Sequence, residues 1–315
     1  MSQSAPAPSA VFPRPAAPGD SAAGFAYGLT AYGLWGIVPL YFRQLETVPA
    51  VELLAHRIVW SVLFLSVLLS AIRRWADVRA VLGSAPRMRL LAVSTLLIGG
   101  NWLLYTHAAV TRQVVEAALG YFISPLASVA LGVVVLGERL RAGQVIGLVL
   151  AAAGVAAMTW LTGRPPWIAV GLAGSFSLYG LVRKQVPADG LTGLAVETLL
   201  LFPLSLGVLV WWGAQGAGAF GRDVTVDLWL TVSGVVTCVP LMCFGQAARK
   251  LRLSTLGFLQ YLSPTIAFAL AVTVLGEPFS GERLPAFALI WTALAVYTAD
   301  TWRAMARASA AAARG

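Results

Sequence analysis

Ser124–Glu138 (SPLASVALGVVVLGE) and Ser263–Glu277 (SPTIAFALAVTVLGE) are two nearly identical stretches of this chain. Nine of their fifteen aligned positions are the same, including the Ser-Pro pair at the start and the Leu-Gly-Glu at the end. A repeat of this length indicates that the chain consists of two copies of one structural unit. Both copies are long apolar helices by composition. An odd number of membrane spans per unit would therefore place the two units upside down relative to each other.

The composition places most of the chain in a membrane. Of its 315 residues, 58% are hydrophobic and 11% are charged, and the mean hydropathy is +0.79. So few charges could not cover the surface of a soluble protein. The net charge of +9 would suggest nucleic acid as the partner of a soluble protein. Here we expect it to orient the chain in the lipid bilayer and to meet anionic lipid, with no nucleic-acid partner.

Ten apolar segments have roughly the length of a membrane-spanning helix, about 17 to 25 residues. They are Phe25–Tyr41, Val51–Ile72, Leu90–Val110, Val114–Leu136, Gln144–Leu161, Trp167–Val182, Leu191–Trp212, Leu228–Ala248, Thr255–Leu275 and Leu284–Trp302. The sixth is the weakest, because it is short and contains three Gly residues. The sequence therefore predicts an all-α integral membrane protein with ten transmembrane helices.

The charges predict how these spans are oriented. Sixteen of the 22 Lys and Arg residues fall on the side that carries the N-terminus, and six fall on the other side. The positive-inside rule then places both termini in the cytoplasm, which agrees with an even number of spans. Each unit has five spans, so the units are predicted to be inverted. Glu138 would lie at the cytoplasmic end of its span and Glu277 at the opposite end.

The chain divides into two repeats and two tails. Residues 1–22 are rich in Ala, Pro and Ser and lack an apolar run, which favours a disordered cytoplasmic tail over a signal peptide. The first repeat, 23–162, holds spans one to five, and the second, 163–302, holds spans six to ten. Residues 303–315 form a short basic cytoplasmic tail.

Charged residues inside predicted spans are the first candidates for function, because a charge within a bilayer normally faces protein or water. Glu197 lies about 9 Å into span seven. His56 and Arg57 open span two, where Arg57 could reach the surface or line a cavity that attracts an anionic group. We expect Glu197 to be the best candidate for proton coupling and Arg57 for an anionic part of a substrate.

Other polar and aromatic groups in the spans complete the candidates for a substrate cavity or for coupling. They are Asn101, Tyr105, Glu116, Tyr121, Gln260 and Tyr261. For any one of them, ordinary packing is the default interpretation. Pro125 and Pro264 belong to the repeated Ser-Pro pairs, and we expect them to kink their helices and so to shape a cavity or act in gating.

The two repeated glutamates favour a structural role. Glu138 and Glu277 end their spans, where a carboxylate near the interface costs little. For Glu138 the expected partners are Arg139 or Arg141, or the end of the next helix, which it would cap.

The sequence contains no catalytic signature. Its two His residues form no HExxH motif, and Cys238 and Cys243 lie on different faces of one helix, so they favour neither a disulfide nor a metal site. There is no Gly-rich phosphate loop ending in Gly-Lys-Ser or Gly-Lys-Thr. We therefore expect no enzyme, no cofactor, no metal and no direct use of ATP.

Five stretches resemble a known family. They are WGIVPLYFRQLETVPAVELLAHRIVWS (Trp35–Ser61), NWLLY (Asn101–Tyr105), VVEAALGYFISPLASVALGVVVLGERL (Val114–Leu140), LYGLVRKQVPADGLTGLAVETLLLFP (Leu178–Pro203) and STLGFLQYLSPTIAFALAVTVLGEPFS (Ser254–Ser280). All five closely resemble the RarD proteins of the EamA family, in the drug/metabolite transporter superfamily. The resemblance covers nearly all of the chain between spans one and ten. It implies two inverted five-helix EamA repeats around a central cavity, in a bacterial plasma (inner) membrane.

These observations favour a secondary active transporter of a small molecule, of the drug or metabolite type and acting in export, which works by alternating access. A proton gradient or another ion gradient is the candidate driving force. One alternative is a receptor or scaffold that transports nothing, which would predict a large soluble domain or a long loop. A membrane enzyme would need clustered acids or metal ligands at one interface. The sequence assigns no oligomeric state.

Overall fold

Long helices account for nearly all of the regular structure. The computed structural model describes residues 20–110, 114–162, 167–274 and 284–312, and these ranges contain helices and no β-strand. The helices are α1 (Ala22–Arg43), α2 (Ala50–Ala71), α3 (Trp75–Leu82), α4 (Ala85–Val110), α5 (Val114–Val134), α6 (Ala142–Thr162), α7 (Trp167–Gln185), α8 (Gly190–Ala214), α9 (Val224–Lys250), α10 (Leu253–Leu259), α11 (Leu262–Thr273) and α12 (Leu284–Ala312). Most of the predicted tail at 1–22 lies outside the described residues.

Each of the ten predicted apolar segments overlaps a helix. By length and apolar composition alone, α2, α4, α8 and α9 are each able to cross a membrane. The short helix α3 was not predicted, because it is an eight-residue amphipathic element outside the apolar runs. It lies between α2 and α4 and packs against α8.

The ninth predicted span is two helices and not one. Pro264 has no N–H to bond with the carbonyl of Gln260, so the regular i to i−4 ladder is interrupted here. Hydrogen bonds that span three residues take its place. They run from Gln260 N to Gly257 O and from Tyr261 N to Phe258 O, each 3.2 Å long. The chain therefore changes from α10 to α11 at Gln260 and Tyr261.

Aspartates cap the N-terminal ends of α8 and α9. Asp189 precedes α8, and its carboxylate accepts a hydrogen bond from Thr192 N at 2.9 Å. Asp223 precedes α9 and accepts one from Thr225 N at 2.7 Å. Such caps pair backbone N–H groups that have no partner within the helix.

Arg74, just before α3, joins this helix to the start of α8. Its guanidinium hydrogen-bonds both Asp77 and Asp189. Burial opposes ionisation of Asp189, but the hydrogen bonds from Thr192 and Arg74 outweigh it and lower the pKa of this carboxyl below its usual range. The same two carboxylates raise the pKa of the Arg74 guanidinium.

The two halves of the chain are interlaced. The most extensive packing pairs one helix of the first half with one of the second: α6 with α12, α5 with α7, α1 with α9, α2 with α9, α4 with α7, α2 with α8, α5 with α10 and α1 with α11. The first half of the described helices therefore cannot complete its core without the second half.

An aromatic cluster fills the centre of the largest core. Trp35 of α1 contacts Phe176 of α7 and Phe244 of α9, with ring centroids 5.9 and 5.8 Å apart. Tyr179 stacks on Phe244 at 5.5 Å. Because these rings come from three helices in both halves, they hold the halves together by apolar burial and ring packing.

The packing of α6 on α12 forms a second core. Gly147 of α6 lies against the backbone of α12, close enough that an added Cβ would meet a carbonyl at 3.1 Å. Tyr297 of α12 stacks on Phe258 of α10, with ring centroids 3.6 Å apart. At the end of this interface Arg141 Nε donates to Asp300 at 2.6 Å.

Candidate functional site

Arg57 of α2 is a cation surrounded by aromatic rings. Its guanidinium carbon lies 5.2 Å from the ring centroid of Trp102 and 5.7 Å from that of Phe42, which are distances for cation–π contacts. Its Nε donates to the hydroxyl of Thr237 at 3.0 Å. Among the described residues, no carboxylate lies within 4.0 Å of this guanidinium. Helices α1, α2, α4 and α9 thus meet at one charge that has no anionic partner there.

Tyrosines extend this aromatic wall. The rings of Tyr105 in α4 and Tyr121 in α5 lie 6.2 Å apart, and both interact electrostatically with Arg57. Tyr121 leaves 43% of its surface exposed, whereas Thr237 is buried. The other side chains of this wall are partly exposed: Phe42, Arg57, Trp102 and Tyr105. We call this set the Arg57 cluster; its members are Phe42, Arg57, Trp102, Tyr105, Tyr121 and Thr237.

His56, the neighbour of Arg57, faces elsewhere. Its ring stacks on Phe220 at 5.3 Å, and its Nε2 lies 3.9 Å from Glu52 Oε1. The same carboxylate oxygen accepts a hydrogen bond from Ala219 N at 2.6 Å. Because successive helix residues are about 100° apart, these contacts tie α2 to the loop between α8 and α9 and not to the Arg57 cluster.

Glu197 is buried in α8 and is hydrogen-bonded on both oxygens. The Ser94 hydroxyl donates to Oε1, and the Tyr179 hydroxyl donates to Oε2 at 3.3 Å. Arg183 Nη1 lies 3.7 Å from Oε1, so the carboxylate has a cationic partner. The four side chains come from α4, α7 and α8, and both charged side chains are nearly inaccessible, at 1% and 2%.

Arg183 is the residue that sequence reasoning missed. It follows the sixth predicted span, where the positive-inside rule accounts for an arginine, but its side chain turns into the protein between α8 and α9. Gly193 and Gly245 leave the space: an added Cβ would lie 1.9 and 2.8 Å from its nitrogens. The two glycines are the only local signal of this slot, and they are visible only once the helices are packed together.

The remaining predicted candidates join helices. Asn101 Nδ2 donates to Leu172 O at 2.9 Å, which links α4 to α7. Gln260 and Tyr261 are buried at the break between α10 and α11. The Tyr261 hydroxyl donates to Phe122 O at 3.2 Å. The structure therefore brings Arg57, Tyr105 and Tyr121 together and places Asn101, Glu197, Gln260 and Tyr261 outside the Arg57 cluster.

Four further residues considered in the sequence analysis lie in or near the repeated motifs. Glu116 is in α5, but its side chain lies outside the described residues, as does Glu277 altogether. Pro125 is inside α5, which continues through it, whereas Pro264 sits just after the break described above.

Glu138 caps a helix of the opposite half. Gly137 adopts a positive φ of 67°, and Glu138 N bonds back to Gly132 O at 3.0 Å, which turns the chain after α5. The Glu138 carboxylate then accepts from Leu253 N at 2.7 Å and Ser254 N at 3.0 Å at the start of α10. It thus caps a helix, but one from the second half and not the next one in the chain.

A second set of contacts surrounds this cap. Arg252, just before α10, bonds Asp20 through Nε at 3.0 Å and through its backbone N at 2.9 Å. Thr255 donates to the same carboxylate at 2.9 Å, and Lys184 of α7 donates to Leu251 O. We call Asp20, Glu138, Lys184, Arg252 and Thr255 the polar latch. It ties α1, α5 and α7 to the junction of α9 and α10.

No group of three or more His, Cys, Asp or Glu side chains placed to hold a metal occurs in the described part of the chain. Cys238 and Cys243 are both free thiols.

Comparison with known proteins identifies relatives along almost the whole chain. A family model described as the EamA-like transporter family matches residues 22–160. Protein RarD of Salmonella typhi is 45% identical over 278 residues, which cover 88% of this chain and 95% of that protein. An uncharacterized transporter of Vibrio cholerae serotype O1 is 42% identical over 290 residues, which cover 90% of this chain and 95% of that protein.

A solved crystal structure has a similar fold. It superposes with a TM-score of 0.69 and covers 89% of this chain and 98% of that chain, at 20% sequence identity. At this identity the likeness concerns the fold alone.

Proposed function

Since this chain belongs to the RarD family of EamA-like transporters, in the drug/metabolite transporter superfamily, we propose that it is a secondary active transporter that exports a small molecule by alternating access. The family and the apolar helices make it a multi-pass membrane transporter of the bacterial inner membrane. The mechanism, the direction and the residues that act are our proposal.

The observation that carries the proposal is the contrast between the two ends of the helix bundle. At one end of α1, the partly exposed Arg57 cluster begins at Phe42. At the other end, Asp20 belongs to the polar latch. The 22 residues of α1 separate them by about 33 Å. An alternating-access carrier needs one end open to its cargo while the other end is closed, and this arrangement supports such a state.

The helix packing supports two inverted five-helix repeats, residues 23–162 and 163–302. In chain order, the repeats match α1 to α7, α2 to α8, α4 to α9, α5 to α10 and α11 together, and α6 to α12. Exchanging the repeats therefore turns the packing of α1 on α9 into that of α7 on α4. It likewise turns the packing of α1 on α11 into that of α7 on α5. The pairs α2 with α8, α5 with α10 and α6 with α12 map onto themselves. All of these packings occur. The bond between Tyr261 and Phe122 joins positions 139 residues apart, which is the offset of the sequence repeat.

The charge distribution supports an orientation. The positive-inside rule places both termini, and therefore the polar latch beside Asp20, in the cytoplasm. The Arg57 cluster is then near the outer face. In this assignment the structure has a closed cytoplasmic end.

We propose Glu197 as the site of proton coupling. Its hydrogen bonds and its ion pair hold α4, α7 and α8 together when it is ionised. Protonation would remove its attraction for Arg183 and leave that cation buried without a counter-charge, which is costly. The contacts among these helices would then change with the proton load, as coupling requires.

Coupling is tested with protein reconstituted in liposomes under an imposed pH gradient. We expect Glu197→Gln to abolish the response of transport to the gradient, while Glu46→Gln, a change at an exposed carboxylate, leaves it intact. Thermal unfolding of both variants would show that each is folded. Gradient-driven transport that persists in a folded Glu197→Gln variant would mean that Glu197 serves structure only.

The transport function itself is tested by finding the cargo. Metabolites are compared in the medium of cells with and without the gene, and any compound that depends on the gene is then followed in liposomes containing the purified protein. We expect flux that saturates and needs the protein. If no compound differs in the medium and no flux occurs in liposomes, a receptor or scaffold becomes the better explanation.

A further inference from the structure

We propose that the Arg57 cluster binds the acidic group of a small, flat organic monoanion, such as an aromatic carboxylate. This inference rests on the proposed transport function, since it names the class of cargo. A cationic charge, free N–H donors and aromatic rings meet at this one place in the bundle.

The charge argues for an anionic ligand. A cation within membrane-spanning helices is costly unless it is paired or hydrated. Among the described residues Arg57 has the hydroxyl of Thr237 and two ring faces as contacts, and no carboxylate within 4.0 Å. In contrast, Arg183 of the same bundle has Glu197 at 3.7 Å. Arg57 is therefore suited to receive its counter-ion from outside.

The geometry of the donors argues for a carboxylate-like group. A guanidinium has five N–H donors in a planar fork that can bind both oxygens of a carboxylate. In the part of the chain described here, the side-chain hydrogen bond of Arg57 uses Nε alone. The Nη groups remain to bind an incoming acid. One guanidinium balances one negative charge, which favours a monoanion over a dianion.

The rings argue for a flat apolar body on that anion. Phe42 and Trp102 pack on the guanidinium, and Tyr105 and Tyr121 lie 6.2 Å apart beside it. Such surfaces favour stacked or edge-on contacts with an aromatic ring. A cationic ligand of the same shape would be repelled by Arg57. A neutral one would leave the guanidinium without a counter-ion.

The test uses three probes of nearly equal size on the full-length protein in lipid nanodiscs: phenylacetate, phenylacetamide and phenethylamine, each titrated by calorimetry. We expect the wild-type protein to bind phenylacetate at least tenfold more tightly than the amide, and the amine least. Equal binding of the anion and the amide, or no binding of the anion, would overturn the proposal without the need for any variant.

Variants then locate the site. Arg57→Met should weaken phenylacetate binding at least tenfold, and Arg57→Lys should weaken it less, because a lysine keeps the charge but not the fork. Arg43→Met is the matched control, since Arg43 lies in the last turn of α1 and is exposed. Unchanged phenylacetate binding in a folded Arg57→Met protein would place the anion elsewhere.

The two proposals fail in different ways. If the wild-type protein binds phenylacetate through Arg57 but liposomes containing it transport neither this probe nor any metabolite, then the site stands and the transport function fails. If gene-dependent flux is found and Arg57→Met leaves it unchanged, then transport stands and the assignment of the cargo site fails.

Discussion

The slot that holds Arg183 depends on two residues without side chains. Gly193 and Gly245 face this guanidinium from neighbouring helices, and an added Cβ at either position would come closer than 3.0 Å to it. Burying an arginine needs space as well as a counter-ion, and these helices supply both. Burial of Arg183 therefore requires the lack of a side chain at position 193 as well as the carboxylate of Glu197.

This slot predicts the effect of a single methyl group. Gly193→Ala should push Arg183 away from Glu197 and lower stability by about 3 kcal/mol, because it disrupts a buried ion pair. Gly207→Ala in the same helix is the control, since nothing lies within 4 Å of its added Cβ. It should be neutral or slightly stabilising, because Ala favours a helix. Thermal unfolding in detergent measures the stability of both variants. Equal melting temperatures would show that Gly193 is not needed to make space for Arg183.

Sequence reasoning found one member of this pair and not the other. Glu197 stood out because a carboxylate inside an apolar span is unusual. Arg183 lies at a span end, where the positive-inside rule already accounts for an arginine. Which of two nearby basic residues turns inward depends on how α7, α8 and α9 pack, and no local pattern contains that information.

At the scale of a helix, the cap at the start of α10 joins the two halves through a carboxylate of one and backbone N–H groups of the other. Glu138→Ala removes the acceptor for Leu253 N and Ser254 N, which should cost about 1 kcal/mol, as for other caps. It should also loosen the polar latch. Ser254→Cys, in protein lacking Cys238 and Cys243, reports on this opening, because Ser254 is fully buried.

We expect a membrane-impermeant maleimide to label this cysteine faster when Glu138 is replaced by Ala. The control is Glu46→Ala, which removes an exposed carboxylate from a loop. Labelling at the same rate in the three proteins would mean that Glu138 does not keep this end closed.

The start of α8 predicts a dependence on pH. The pKa of Asp189 is lowered in the folded protein. Its contribution to stability is therefore present above the usual carboxyl pKa, and it is lost as the pH falls from there through the lowered pKa of the folded protein. Asp189→Asn should therefore lower stability by about 1 kcal/mol at pH 7 and by less at pH 3. Melting temperatures across this range check it, with Glu46→Gln as the control, because Glu46 is an exposed carboxylate in a loop. A constant difference at all pH values would contradict it.

The elements themselves were predicted unevenly. The apolar runs locate the long helices because lipid requires continuous apolar segments. They do not reveal the break at Gln260 and Tyr261, since both sides of the break are apolar and Pro125 in the matching span leaves its helix continuous. They also miss α3, whose alternation of charged and apolar residues is typical of a helix lying at a surface.

For the whole molecule, the distribution of Lys and Arg predicts which end of the helix bundle faces the cytoplasm. Ala76→Cys in α3 should be labelled by an impermeant maleimide only in inverted vesicles. Ala217→Cys between α8 and α9 should be labelled only in cells whose outer envelope is permeable and whose inner membrane is intact. Both positions are exposed. The reason is that arginines accumulate around α3 and on the same side elsewhere. The reverse pattern would place the polar latch at the outer face.

The candidate site was predicted only in part, and the reason lies in distance along the chain. Arg57, Tyr105 and Tyr121 were each chosen as polar or aromatic groups in spans, and the fold brings them together. Phe42 and Thr237 also belong to the cluster but carry no signal in the sequence. They join the cluster because α1 packs against α9, and α9 packs against α2.

The packing of α6 on α12 has a consequence for how the chain is made. Helix α6 ends the first half, but its main partner is α12, which is synthesised after α7 to α11. During synthesis the Gly147 face of α6 must wait in the membrane while α7 to α11 are inserted. This core is therefore completed only after α12 has been made, and loss of α12 would leave α6 without its main partner.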